Sequence, residues 1–97
     1  MDVTATDQFA VHPSVLCREL SGETVLLNLE SGVYYGLDLV GTRVWQLLQQ
    51  GNSIASICDT MLDEYDVAAD VLREDLMRLV RELRERGIIT PRESVHE

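Results

Sequence analysis

From Glu23 to Leu37 the chain reads ETVLLNLESGVYYGL. Val25, Leu27 and Leu29 recur at every second position, the period of a strand with one well-buried face. Ser31-Gly32 then supplies a turn pair, and Val33-Tyr34-Tyr35-Gly36-Leu37 continues with β-branched and aromatic residues suited to a second strand. Just upstream, Val15 to Leu20 forms a third apolar run, joined to Glu23 through Ser21-Gly22. Three short runs linked by two-residue turns predict an antiparallel meander. Phe9-Ala10-Val11 could add a short leading strand, but His12-Pro13 interrupts it.

Downstream the period changes from two to 3.6. Val44, Leu47 and Leu48 share one helical face after Asp38, with Trp45 beside them, and Gly51 suits the left-handed position past a helix end. Ser53 is a natural N-cap for a helix from Ile54 to about Tyr65. A longer helix covers about Ala68 to Arg86, with Leu72, Leu76, Leu79, Val80 and Leu83 as its main stripe. Gly87 ends it, and Ile88 to Pro91 turns away. A three-stranded sheet needs its apolar face covered, so the fold class is α+β: a three-stranded antiparallel sheet followed by three helices, in one compact unit. Leu37 and Trp45 are assigned to the core.

Composition excludes several functions. The net charge of −9, from 17 acidic and 8 basic side chains, repels the phosphates through which nucleic acid is bound. The arginines between Arg73 and Arg92 alternate with acids, as on a solvated helix face. No apolar run can span a bilayer, and the first residues lack the regions of a signal peptide, so a cytoplasmic protein is expected. Cys17 and Cys58 lack metal-ligand spacing, and His12 and His96 are isolated, so both thiols are expected to be small buried hydrophobes. His12 reads as a turn residue before Pro13. The acids Asp59, Asp63, Glu64, Asp66 and Asp70 lack the glycine bend of a calcium loop and read as solvated surface. No phosphate loop and no nucleophile elbow is present, which argues against an enzyme, a metal site or a cofactor.

The stretch from Val15 to Ile89 resembles the PqqD-like family, the recognition elements of ribosomally made, modified peptides. The landmarks are Ser31-Gly32, Tyr35-Gly36-Leu37-Asp38, Gly41, Val44-Trp45, Leu47-Leu48 and Gly51. Ile54, Ile57, Tyr65 and Val71 continue the pattern, and Leu79 to Ile89 closes it. Asp38 replaces the more usual asparagine, and both residues cap helices. The resemblance implies a winged helix-turn-helix-like domain; the chain is accordingly divided into an N-terminal arm at 1–14, a peptide-recognition domain at 15–90 and, from the character of the last residues, a flexible tail at 91–97. It further implies that a precursor's leader peptide is held as an added strand along Val33, Tyr34, Tyr35, Gly36 and Leu37. Arg73, Leu76, Met77, Val80 and Arg84 on the last helix would form the back wall. A freestanding domain needs a separate processing enzyme. A leader peptidase of a lasso-peptide pathway is preferred over the radical SAM enzyme that PqqD itself serves. A winged-helix DNA-binding regulator is the rival reading. The state expected is a monomer or a dimer through the open strand edge.

Overall fold

The computed structural model describes residues 7–91. Residues 1–6 of the arm, the tail from Arg92 onward and His96 lie outside the described residues. The elements run β1 (Phe9–Val11), β2 (Val15–Leu20), β3 (Glu23–Asn28), β4 (Tyr34–Leu37), α1 (Leu39–Gln49), α2 (Ile54–Glu64), α3 (Ala69–Glu85) and β5 (Ile89–Pro91). The α+β architecture is as expected: β2, β3 and β4 form a three-stranded antiparallel sheet, and three helices follow. No helix is long and apolar enough to cross a membrane among the described residues.

The β2–β3 hairpin turns through Ser21 (φ 53°) and Gly22 (φ 84°), two positive-φ residues as a type I′ turn requires. The β3–β4 connection is longer than the two-residue turn expected. Asn28 N–H donates to Val33 O, which leaves a four-residue loop from Leu29 to Gly32. The Asn28 side chain organises it: its Oδ1 accepts from Glu30 N–H (2.8 Å) and Ser31 N–H (3.3 Å). An asparagine that mimics a backbone turn in this way competes with the ladder and ends the strand.

The phase of β3 is also opposite to its apolar alternation. Thr24, Leu26 and Asn28 are buried, whereas Val25 and Leu29 are exposed. The inner face can hold two polar residues because both are satisfied. Thr24 shares a hydrogen bond with Thr42 of α1 at 2.9 Å. Asn28 Nδ2 donates to Gly87 O at 2.9 Å, beyond the end of α3. A buried polar group with partners costs little, so it can occupy the core face and tie it to other elements.

Capping follows local chemistry. Asp38 accepts from Gly41 N–H at 2.8 Å at the start of α1, and Ser53 accepts from Ser56 N–H at 3.2 Å at the start of α2. Gly51 and Gly87 adopt positive φ after α1 and α3. Past α3, Gly87 N–H bonds Arg84 O and Ile88 N–H bonds Leu83 O, a Schellman pair that buries Ile88. The core is built from Leu26, Leu37, Trp45 and Leu48 with Ile57, Met61, Leu76, Val80 and Leu83, so Leu37 and Trp45 lie where expected.

Two features at the chain ends differ from the sequence expectation. Ile89–Pro91 does not merely turn away but pairs antiparallel with Phe9–Val11, bringing Phe9 into the core. Pro13 does not prevent this strand, because β1 ends at Val11 and His12 forms the turn, its Nδ1 accepting from Ser14 N–H at 3.0 Å. Cys58 is buried, but Cys17 is exposed on β2, whose residues beyond Val15 all lie at the surface.

Candidate functional site

Among the described residues β4 is an outer strand of its sheet, paired only with β3. In an antiparallel ladder, alternate residues turn both amide groups to the same neighbour. The bond from Asn28 N–H to Val33 O sets this phase: the Val33 carbonyl and both amide groups of Tyr35 and Leu37 turn toward β3, while the Val33 N–H donates to Ser31 Oγ in the loop. The N–H and C=O groups of Tyr34 and Gly36 point to the open edge. They are spaced to pair with an extended chain.

Beside that edge lies a groove of about 360 Å³. Tyr35, Gly36 and Leu37 form its sheet side. Val40, Gly41 and Val44 of α1 line its floor, and Leu72, Asp75, Leu76, Arg78 and Leu79 of α3 form the far wall. The lining is apolar inside and charged at the rim, where Asp75 and Arg78 pair at 3.1 Å. Gly41 permits the tight approach of α1 to the end of β4: a Cβ there would sit 3.2 Å from the Leu37 side chain.

Tyr35 fixes the spacing between β4 and α3. Its hydroxyl donates to Glu82 Oε1, and the Arg86 guanidinium stands 5.3 Å from its ring centroid. Burial, with the Glu82 carboxylate, pushes the Tyr35 hydroxyl pKa up. The groove thus has one clamped end. On the other side of α1, Arg43 makes a fork with Glu64 of α2 (2.7 Å at its closest), which raises the arginine pKa and lowers that of the carboxyl.

The residues named from sequence are distributed as follows. Tyr35, Gly36, Leu37 and Leu76 line the groove. Val33 is half-buried just before β4, and Tyr34 points away from the helices with 70% of its surface exposed. Val80 is fully buried in the core, and Met77 is half-buried against it. Arg73, Met77 and Arg84 are not among the residues lining the groove. Sequence reading did not single out Val40, Val44, Leu72, Asp75, Arg78 or Leu79 for this role. Leu79 carried the one available signal, since it belongs to the apolar stripe but stands at its margin. Among the described residues no three His, Cys, Asp or Glu side chains gather to hold a metal ion.

An open strand edge bordering an apolar groove defines a class: a small winged-helix-like module built to receive an extended segment. Residues 23–89 match the family described as Coenzyme PQQ synthesis protein D (PqqD), and the chain belongs to that family. No curated protein matches the chain significantly. Two solved structures are similar throughout. The first is TbiB1 in complex with the TbiA(beta) leader peptide, 32% identical, covering 91% of this chain and 99% of that one, TM-score 0.78. The second is a lasso peptide synthetase B1 complexed with the leader peptide, 28% identical, covering 87% and 99%, TM-score 0.79.

Proposed function

We propose that this chain is a non-catalytic, cytoplasmic recognition protein of a lasso-peptide pathway. It takes the leader of a ribosomally made precursor peptide as an added strand on β4 and presents it to a separate leader peptidase. The observation that carries this reading is the open β4 edge, with the amide groups of Tyr34 and Gly36 aimed outward beside an apolar groove. Strand addition supplies affinity through the backbone, and the groove selects alternate side chains. The two structurally similar proteins, each solved with a leader peptide, support the choice of ligand. DNA binding is disfavoured because α3 carries four arginines (73, 78, 81, 84) against five acids (70, 74, 75, 82, 85).

The test is a fluorescence-anisotropy titration with the labelled synthetic leader of the precursor encoded beside this chain's gene. Binding at about micromolar Kd or tighter, roughly 8 kcal/mol, is expected. A flat titration at tens of times that concentration would sink the proposal.

A further inference from the structure

Gly36 is the one position of β4 without a side chain, and among the described residues the space above it is open: a Cβ built there meets no atom of theirs within 4 Å. Its φ lies outside the left-handed region, so the backbone does not require glycine. No close approach among the described residues requires it either. Glycine in a strand forfeits packing and loses entropy on folding, and often marks a place where another chain comes near.

The register shows what surrounds the gap. Gly36 pairs with Val25, and Tyr34 stands two residues along on the same face, the one turned from the helices. Val25 is 46% exposed. Together they make a notch, with Gly36 as floor and Val25 and Tyr34 as walls. Because the Gly36 amide groups face the open edge, an antiparallel added strand places one residue directly opposite, at a Cα separation of about 5.5 Å. That residue's side chain rises on the notch side of the sheet, while its two neighbours point into the groove. A large side chain lying across a bare glycine restores the packing the glycine lacks.

We propose that Gly36 is a specificity-determining residue for the second face of the bound leader. The leader residue paired with Gly36 carries a large aromatic or branched aliphatic side chain, which lies over the glycine against Val25 and Tyr34. This rests on the reading that the leader adds to β4, and it extends recognition from the groove to both faces of the added strand.

The test uses random peptide display panned against the wild-type chain and Gly36→Val. The variant folds, because its Cβ meets open space and valine favours strands, and a melting temperature no lower than wild type checks this. The wild type is expected to enrich peptides with a large apolar residue at one fixed position. Gly36→Val should enrich small residues there and bind the wild-type-selected peptides roughly tenfold more weakly. Alanine at that peptide position should weaken binding to the wild type and leave binding to Gly36→Val unchanged. Enriched pools with the same preference for both chains would overturn the notch alone. Enrichment by neither chain would overturn leader binding itself, and the notch with it.

Discussion

Asn28 joins three parts of the molecule through one amide. It ends β3, shapes the loop into β4 and holds the carbonyl of Gly87 past α3. Asn28→Ala would leave buried groups unpaired and is expected to cost about 2–3 kcal/mol in urea unfolding. Sequence alternation could not reveal this role. Val25, Leu27 and Leu29 outnumber the apolar residues of the other phase, and only partners distant in sequence make Thr24 and Asn28 acceptable inside. Tyr35 makes a second such link. Because its pKa is raised in the fold, its contribution is fully present below the ordinary tyrosine pKa, about 10, and is lost as pH rises through the higher folded value. Tyr35→Phe should therefore cost about 1 kcal/mol near neutrality and flatten the decline in stability above that pKa. For the wall of the groove, Leu79→Ala is expected to weaken leader binding roughly tenfold, whereas Met77→Ala should lower the melting temperature and leave affinity nearly unchanged. Equal effects on affinity would contradict the assignment of the wall.

Among the elements, the helices were legible because their signals are local: Asp38 and Ser53 as caps, Gly51 and Gly87 as terminators, and an apolar stripe on each. What periodicity cannot supply is the flank of a stripe that faces a neighbour. On α3 the core stripe has Arg73, Met77 and Arg84 to one side and Asp75, Arg78 and Leu79 to the other, and the crossing of α3 past β4 puts the second set at the groove. β5 was hidden for a related reason, since three residues become a strand only by pairing with β1 at the far end of the chain. The Arg43–Glu64 fork joins α1 to α2. Arginine holds the Glu64 carboxyl below the ordinary glutamate pKa of about 4.3. The stabilisation is full above that pH and disappears as pH falls through the lowered value. Glu64→Gln should thus lower the melting temperature slightly near neutrality, by the small amount typical of an exposed pair, and the difference from wild type should vanish in acid. At the end of α3, Gly87→Ala places a side chain at φ 74° and 3.4 Å from Asn28 Nδ2, and should cost about 1 kcal/mol.

At the scale of the whole molecule, the fold brings a strand edge and a helix wall together and leaves the space between them open. α1 closes the bottom of that space, and the Tyr35–Glu82 contact holds one end at a fixed width. The β1–β5 pair closes the two ends of the described chain into the same core. Binding by strand addition then needs little rearrangement, which limits the ordering cost of association. The most direct test is residue-resolved amide hydrogen exchange with and without the leader peptide. In the free protein, Tyr35 and Leu37 should exchange slowly, bonded to β3, and Tyr34 and Gly36 should exchange fast. Addition of leader should slow Tyr34 and Gly36 and leave the alternation otherwise intact. Saturating leader that leaves both amides as fast as before would contradict strand addition on β4.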